Sequence, residues 1–405
     1  MKHLRIIDSI TLDEFVKTNF YNHYKKTSYW VNHESNPKTI PHYLGYFYED
    51  TLIGTALLIE TKSLFGRYIY IPQGPCIDYQ DIESSKDFLE KIISFGKERN
   101  VLFLRMDPNV IRVSRDILGN QTDEINQEYI TSYLKEIGFV HKGYGYAYNG
   151  SWSNRFTLAI DISKEIDEII LNFNKSKQNA LKRQERIGVK TRIASTDDLV
   201  HLMNFEKELA SILKFKPHSK EFFLKYLNEF KSHAHLYVTE LYVNELIREI
   251  EAEIDSGKYK KDKEALASKE KELNEARKWK KSYGEIIPIA AGLFLHYGFK
   301  SWDLYTYSRK EFNSMKPTDN LHLFAISDLK KHHVSFYDMC GFSGTVDKND
   351  SYYGLYDYKK SFGSQYIEYI GEFDYIYKPN KFKYYLLIAK IKSRLKFYFK
   401  KIKIR

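Results

Sequence analysis

The segment 241–283 limits the possible folds of this chain more than any other part of the sequence. Charged residues dominate it, helix-forming residues fill nearly every position, and Asp255-Ser256-Gly257 supplies a turn near its middle. We therefore predict two antiparallel helices that form a short coiled-coil arm. The side chains expected between these helices are Leu246, Ile250, Ile254, Leu266, Leu273 and Trp279. Because strands are predicted on both sides, near 236–241 and 286–294, the arm is an insertion within a domain.

The order of the remaining hydrophobic segments predicts more than one α/β domain. A chain of 405 residues is too long for one ordinary domain. Apolar periodicity predicts helices at 12–19, 84–97, 166–184, 218–230 and 321–332. Strands are predicted at 43–47, 52–59, 67–71, 101–106, 155–161, 286–295, 302–307 and 335–338. Strands that alternate with helices indicate mixed sheets with crossover helices.

The cysteine and hydropathy patterns exclude several classes of protein. Cys76 and Cys340 are too few for a disulfide framework and lack the spacing of metal ligands, so we expect a reducing compartment and no metal site. Asp8 and Asp13 interrupt the apolar residues near the N-terminus, which argues against a signal peptide. No uninterrupted run of about twenty apolar residues is present, so a spanning helix is not expected. These features predict a cytoplasmic protein.

The C-terminal tail, residues 380–405, carries the whole formal net charge of the chain. It contains eight lysines, two arginines and no acidic residue, and the net charge of the chain is +10. A charge confined to one end predicts a polyanionic partner at that end.

An apolar stripe in the tail narrows the choice of partner. Its members are Leu387, Ile388, Ile391, Leu395, Tyr398, Phe399 and Ile402. The pattern is typical of a helix that lies in the membrane interface and attracts anionic lipid. The basic residues expected there are Lys390, Lys392, Arg394, Lys396, Lys400 and Lys401. A tail that binds tRNA is the alternative, because phosphates attract the same charges. We favour the membrane as partner, since binding to RNA phosphates would not explain the apolar stripe.

A second distinctive segment, 352–374, sets two adjacent lysines among aromatic residues. Lys359 and Lys360 lie between Tyr356, Tyr358 and Phe362. An apolar wall strengthens the contact of an ammonium group with a developing anion. The structural alternative is a buried edge strand whose lysines extend to solvent.

The segment resembles the C-terminal signature of the Fem-type (FemABX, MurM-like) peptidoglycan aminoacyltransferases. That signature is an aromatic-Lys pair, here Tyr358-Lys359, followed by a strand and a turn, here Gly371-Glu372-Phe373-Asp374. Further matches occur in family order at 70–79, 103–108, 290–293, 304–305 and 336–341. The resemblance covers residues 10–378.

The resemblance implies two domains of the GNAT type set face to face, with the helical arm in the second. The implied domains are 1–155 for the first, 156–240 with 284–379 for the second, 241–283 for the arm and 380–405 for the tail. Such enzymes move an amino acid from aminoacyl-tRNA, a co-substrate rather than a cofactor, to the stem-peptide lysine of a muramyl-peptide such as lipid II. The implied location is the inner face of the membrane.

The resemblance also assigns roles to single residues. Lys359 matches the lysine that holds the oxyanion or the tRNA terminus, and Tyr358 matches the aromatic residue beside it. Asp107 is a candidate proton acceptor. Asp78 and Asp107 are candidate contacts for a cationic acceptor, although aspartate at strand ends also forms turns.

Acceptor recognition departs from the pattern of the family. Where relatives have Trp and Lys four residues apart, this chain has Trp30 and Glu34, and Lys38 is the nearest substitute. Where relatives have Arg and Tyr, this chain has His218 and Phe222. The stretch Asp338-Met339-Cys340-Gly341 stands where the family more often has Gly-Gly. Tyr305 matches the expected tyrosine.

A basic face is predicted on the helix at 166–184 and just beyond it. Its members are Lys175, Lys177, Lys182, Arg183 and Arg186. The family has a similar helix, so these residues are candidate tRNA contacts. A solvated helix face explains the same charges.

Other functions remain open at the level of the sequence. An acyl-CoA acetyltransferase would need a glycine-rich turn that opens a helix, and Gly143 and Gly145 lack the helix signal. A scaffold tethered to membrane or RNA would use the arm and the tail and would give Lys359 no role. Transfer from tRNA to protein N-termini shares the donor. The arm is also a candidate surface for a partner protein or for self-association.

Overall fold

The computed structural model describes residues 1–146 and 152–402, with side chains as far as 391, and it divides into two compact units. Unit 1 contains Met1–Thr157, Gly341–Tyr353 and Tyr366–Arg405. Unit 2 contains Leu158–Cys340 and Gly354–Gln365. Each unit is therefore assembled from separate stretches of the chain.

Unit 1 begins with eight strands and four helices. In chain order they are β1 (Lys2–Ile6), α1 (Ser9–Thr18), α2 (Ser28–Glu34), β2 (Thr39–Tyr48), β3 (Thr51–Ser63), β4 (Gly66–Ile71), α3 (Ile82–Glu98), β5 (Phe103–Met106), β6 (Ile111–Arg115), β7 (Gln121–Asn126), α4 (Glu128–Glu136) and β8 (Val140–His141). The predicted hairpin is confirmed, because β2 and β3 pair in antiparallel fashion with Tyr48 opposite Thr51. The predicted helix at 12–19 begins earlier, at Ser9, since the side chain of Asp8 caps it by accepting the N–H of Thr11.

Unit 2 follows with strands and helices in alternation. They are β9 (Phe156–Asp161), α5 (Ile166–Asn172), α6 (Lys175–Arg186), β10 (Val189–Ile193), α7 (Leu199–Leu213), α8 (Lys220–Phe230), β11 (Ala234–Tyr242), α9 (Val243–Asp255), α10 (Lys263–Tyr283), β12 (Ile286–Tyr297), β13 (Lys300–Ser308), α11 (Pro317–Lys330), β14 (Phe336–Gly341) and α12 (Tyr353–Lys360). The chain then forms β15 (Gln365–Tyr369), β16 (Phe373–Ile376) and α13 (Pro379–Ile402).

Unit 1 contains a seven-stranded sheet that the end of the chain completes. Its strand order is β1-β2-β3-β4-β5-β16-β8. The late strand β16 pairs with β5, with Phe373 opposite Met106. Residues 366–379, which the resemblance groups with the second domain, thus supply hydrogen bonds to unit 1.

In unit 2 the strands β10-β11-β12-β13-β14-β9 lie side by side. One face of this sheet is covered by α6 and α11, whose Leu181 and Leu321 share a core with Phe294. Helix α7 packs on β12 and β13. The two faces therefore have separate sets of helices, and each can carry its own polar site.

One predicted helix and one structural alternative from the sequence are wrong. The helix predicted at 166–184 is broken, because Asn174 is extended and its side chain caps α6 by accepting the N–H of Lys177. The alternative of an edge strand for the lysines of 352–374 is also wrong, since Lys359 and Lys360 form the last turn of α12.

The segment 241–283 forms two helices, α9 and α10, joined by a short turn. Leu246, Ile250 and Leu273 are buried in one cluster, and ion pairs join Glu251 to Arg277 at 2.8 Å and Glu253 to Lys269 at 2.8 Å. These pairings set the two helices antiparallel, as the segment predicts. Leu266 is only partly buried.

Candidate active site

The side chain of Lys359, in the last turn of α12, contacts the backbone of β14. This side chain is buried, and Nζ donates a hydrogen bond to the carbonyl oxygen of Cys340 at 2.9 Å. Cys340 has a φ of 62°, a left-handed conformation that is uncommon for residues other than glycine. The ammonium group therefore lies against a backbone turn whose conformation is itself costly.

The surroundings of Lys359 combine burial with nearby carboxyl groups. Burial lowers the pKa of Lys359, and attraction to Asp303 and Asp338 opposes this shift. Burial raises the pKa of Asp303 to about 6, although Lys359 and the hydroxyl of Thr306, which donates to its Oδ1 at 2.6 Å, act against it. A desolvated ammonium group interacts with anions more strongly than one in water. The site can thus stabilise negative charge that develops beside it.

Tyr358 belongs to a neighbouring cavity of about 440 Å³ in unit 2. Lys177 donates to Asp319 Oδ1 at 2.6 Å and lies 4.2 Å from the centre of the Tyr358 ring and 3.7 Å from that of Phe362. Tyr358 and Asp319 line this cavity together with Lys177. Burial lowers the pKa of Lys177, and Asp319 counteracts the shift.

Two helix N-termini also line this cavity. Ser176 lies in the first turn of α6, and Thr318 lies in the first turn of α11. Lys316 Nζ joins them by donating to Ser176 Oγ at 2.8 Å. Unpaired backbone N–H groups and lysines at helix N-termini favour bound anions. The cavity is therefore suited to a phosphate or carboxylate group.

His322 on α11 lies between the two lysine sites. Its Nδ1 is 2.6 Å from the hydroxyl of Tyr337, and its ring packs on Phe362. Burial lowers its pKa to about 3, and Lys177 and Lys359 add to the shift. The imidazole is thus neutral near pH 7 and adds no third positive charge.

A bulge in β13 directs neighbouring residues to opposite faces of the sheet. Phe294 pairs with Asp303 whereas Leu293 pairs with Tyr305, so Leu304 is an extra residue. Asp303 and Thr306 consequently face α11, and Tyr305 and Tyr307 face the other side. Lys359 and Tyr305, both predicted site residues, are therefore associated with different faces of unit 2.

Tyr305 instead joins His218 and Phe222 in an aromatic cluster. The His218 ring stacks on Phe222 at 4.1 Å and meets Tyr305 edge-on at 5.3 Å. Its Nδ1 is 2.6 Å from Oε1 of the buried Glu206, which also accepts the hydroxyl of Tyr307 at 3.2 Å. Three residues predicted for the acceptor are thus brought together, with a carboxylate that their pattern did not reveal.

Asp107 lies in a buried polar site of unit 1. It accepts the backbone N–H of Gln73 at 2.8 Å, the side-chain amide of Gln73 at 3.2 Å and the hydroxyl of Tyr70 at 3.0 Å. Burial raises its pKa, and these hydrogen bonds oppose the shift. Asp107 can therefore exchange a proton more readily near neutral pH than an exposed aspartate.

The other residues predicted for the acceptor in unit 1 are dispersed. Trp30 lines a cavity of about 220 Å³ with Tyr70 and Trp152. Lys38 is exposed and lines a different groove beside Tyr385. Asp78 is exposed and accepts the N–H of Gln80 at 2.9 Å, which is the turn-forming alternative.

The five side chains of the predicted basic face do not form one exposed surface. Lys177 points inward to Asp319, whereas Lys175 and Lys182 are exposed. Arg183 and Arg186 form ion pairs with the arm, to Glu272 at 2.7 Å and to Glu249 at 3.3 Å.

The tail forms helix α13, and its first turns pack on unit 1. Phe382 and Tyr385 lie 4.9 Å and 5.1 Å from the Phe103 ring, whereas Leu387, Ile391 and Lys390 are exposed. The predicted contacts Lys392, Arg394, Lys396, Lys400 and Lys401 lie beyond the described side chains. Among the described residues, no helix combines the length and apolarity that crossing a membrane requires.

Sequence reasoning missed Asp303, Asp319 and Glu206. Asp303 had a usable signal, because it interrupts a strand of apolar and aromatic residues, Trp302 to Tyr307, that predicts burial. Asp319 follows Lys316 and Pro317, which is a typical helix start. Neither signal indicates which lysine lies next to Asp303 or Asp319.

Comparison with known proteins gives consistent matches over nearly the whole chain. The model of the FemAB family matches residues 7–390. Aminoacyltransferase FemA of Staphylococcus epidermidis is 21% identical over 380 residues, covering 88% of this chain and 91% of the relative. Aminoacyltransferase FemA of Staphylococcus aureus is 22% identical over 397 residues, covering 88% and 94%. The crystal structure of FemX superimposes with a TM-score of 0.79 at 20% identity, covering 94% of this chain and 99% of that one. This likeness confirms the expected α/β fold.

Proposed function

Because this chain belongs to the FemAB family, we propose that it is an aminoacyltransferase that builds the interpeptide bridge of peptidoglycan. The donor is an aminoacyl-tRNA, and the acceptor is the stem-peptide lysine amine of a precursor such as lipid II. The observation that carries the proposal is the Tyr358-Lys359 pair, in which Lys359 is buried and the adjacent Tyr358 lines a cavity suited to an anion.

The proposed reaction is aminolysis of an ester. The acceptor amine forms a bond to the aminoacyl carbonyl carbon, the carbonyl oxygen becomes a tetrahedral oxyanion, and the bond to the tRNA ribose oxygen then breaks. The amine loses a proton, and the ribose oxygen gains one. Because the substrate is itself the nucleophile, no serine or cysteine nucleophile is needed. Lys359 supplies positive charge for the oxyanion.

The cavity beside Tyr358 supports an anionic donor. Two helix N-termini, Lys177 and Lys316 line a volume large enough for a phosphate and a sugar. The carboxylates in its lining are paired, Asp319 with Lys177 and Asp357 with Lys360. Lys177 is neutralised by Asp319, so Lys316 is the cation that we assign to a phosphate near the tRNA terminus. The aromatic cluster of His218, Phe222 and Tyr305 lies on the other face of unit 2 from Lys359, so we assign it to a part of the acceptor remote from the reacting amine.

The direct test is transfer of radiolabelled amino acids from total charged tRNA to lipid II. Label in the lipid fraction supports the proposal, and purified tRNA species then identify the amino acid. If no label is transferred while a FemA relative works in parallel, lipid II is not the acceptor. The same charged tRNA offered to peptide N-termini then tests the alternative acceptor.

Replacing Lys316 with asparagine should raise the KM for aminoacyl-tRNA by about tenfold, since a hydrogen bond to a charged group contributes about 1.5–3 kcal/mol. Asparagine suits this position because Lys316 has a φ of 51°. The measurement is transfer rate against tRNA concentration. The control is Lys214→Asn, which replaces another exposed lysine with a positive φ, 58°, and should leave KM almost unchanged. Equal effects of both substitutions would count against a specific phosphate site.

The tail is assigned to an anionic membrane surface. Removing residues 392–405 deletes seven basic residues but keeps Phe382 and Tyr385, which pack on unit 1. Binding to anionic vesicles should fall by more than about a hundredfold, because each basic residue near such a surface contributes about 1 kcal/mol. Sedimentation with vesicles measures this, with neutral vesicles as the control. Unchanged sedimentation rejects the membrane assignment, and a matching loss of tRNA binding would favour RNA.

A further inference from the structure

Metal-ligating side chains meet at the C-terminal end of α11, at the opposite end of this helix from Asp319. One ligand atom each from His235, Asp328 and His332 lies within 4.8 Å of the other two. At about 1.5 Å of rise per residue, Asp328 is about 14 Å along the helix from Asp319. The cluster is thus separate from the site proposed for transfer.

The local structure explains why these three side chains converge. Asp328 and His332 are four residues apart, and Lys331 between them keeps a helical backbone with φ of −64° and ψ of −21°. Side chains at this spacing lie on the same face of a helix. His235 pairs with Phe294 across β11 and β12, and Phe294 shares the core of α11. His235 therefore points toward the same helix.

Further hydrogen bonds orient Asp328 and His235. The hydroxyl of Tyr237 donates to Asp328 Oδ2 at 2.9 Å. His235 Nε2 is 2.6 Å from Nδ1 of His296, whose Nε2 is 3.3 Å from Nδ1 of His233. Metal ligands are typically held by a second layer of hydrogen bonds of this kind, which sets their orientation before the ion arrives.

We propose that His235, Asp328 and His332 bind one divalent ion of the zinc class. Two imidazoles and one carboxylate form a ligand set that zinc uses with a water in the fourth position. Magnesium and calcium prefer oxygen ligands, so they bind this set poorly. His332 is exposed and gives the ion a path from solvent. Lys331 donates to Asp328 Oδ1 at 3.2 Å, but its side chain is 72% exposed and turns into solvent when the ion binds.

The role of such an ion is structural. It joins the beginning of β11 to the end of α11, and the first turn of α11 carries Asp319 of the anion-binding cavity. Binding to the folded state alone stabilises a protein by linkage. The ion should therefore raise the thermal stability of the protein without taking part in the chemistry.

The test is zinc binding by the untagged full-length protein after dialysis against a chelator. Titration calorimetry should show one Zn²⁺ per chain, the melting temperature should rise with Zn²⁺ but not with Mg²⁺, and Co²⁺ should give a visible spectrum of low-symmetry coordination. His332→Ala should weaken binding by more than about a hundredfold, beyond the loss typical of outer partners. His332 is exposed, so this variant is expected to fold, and circular dichroism checks it.

The matched control is His333→Asn, which removes the adjacent exposed histidine at a φ of 61° that asparagine tolerates. It should bind Zn²⁺ as the unmodified protein does. Asp328→Asn is the second variant, since it removes the charge but keeps an acceptor for Tyr237. No binding by the unmodified protein, or equal binding by His332→Ala, overturns the proposal.

Discussion

Replacing Lys359 with methionine should lower the rate of amino-acid transfer by about 10²–10³-fold, the range found when one donor to an oxyanion is removed. Methionine keeps most of the volume of the buried side chain but carries no charge. Single-turnover transfer at saturating tRNA measures the change in the chemical step. The control is Lys360→Met, which removes the neighbouring lysine that pairs with Asp357 at 3.0 Å on the surface of the same helix. Lys360→Met should retain nearly full activity.

If Lys359 had a purely structural role, the Lys359→Met variant would lose stability. The hydrogen bond from Lys359 to Cys340 holds a left-handed turn, so loss of this contact could disturb folding. The variant should nevertheless keep its melting temperature within a few degrees if charge is what matters. Burial lowers the pKa of Lys359, so the rate should fall on the alkaline side at a pH below 10.5, its ordinary value. Lys359→Met should abolish this decline, and a fully active variant would remove the oxyanion assignment.

Replacing Glu368 with glutamine should lower the free energy of unfolding by about 3–5 kcal/mol, the usual effect of removing one partner of a buried ion pair. Glu368 is fully buried in β15 of unit 1 and pairs with Arg112 at 2.8 Å and also with Arg115 and Arg155. Glutamine keeps the shape but leaves three arginines without this negative charge. Urea unfolding at pH 7 measures the loss. The control is Glu83→Gln, because the Glu83 side chain, which pairs with Lys2, is 89% exposed and its replacement should change stability little.

The pH dependence of the Glu368 variant provides a second check. Burial alone would raise the pKa of Glu368, but hydrogen bonds from the three arginines outweigh it and lower the pKa. A carboxyl group whose pKa is lowered by folding adds stability above its unfolded pKa of about 4.3 and loses it as the pH falls through the folded value. The difference between the two proteins should therefore shrink in acid. A difference that stays constant down to acid pH would show that charge is not its source.

Much of the secondary structure follows from local pattern. The strands at 43–47, 52–59 and 67–71 appear where alternation and turns predict them, and the charged segment 241–283 forms its two helices. These elements are encoded by short-range periodicity. The break was missed because two extended residues, Phe173 and Asn174, interrupt an otherwise continuous apolar stripe.

Some residues of the candidate site could be identified in the sequence, and others only in the structure. Tyr358 and Lys359 were identified because they match the aromatic-Lys pair of the Fem-type signature, since the residues alone left a structural alternative open. Asp303 and Tyr305 are two positions apart, which predicts one face of a strand. The bulge at Leu304 reverses this, and the shift is visible only in the pairing with β12. The ligands at the end of α11 were also missed, since His235 is distant in sequence from Asp328 and His332.

The sequence by itself determined the α/β class, the helical arm, the basic tail and the Tyr358-Lys359 pair. Each of these depends on periodicity, composition or a local motif, and none needs a distant partner. Only the tertiary structure decided that Lys177 pairs with Asp319 rather than facing solvent, that Glu206 supports His218, and that β16 completes the sheet of unit 1. Those outcomes depend on which buried charges meet, and a buried charge is stable only where the whole fold supplies its partner.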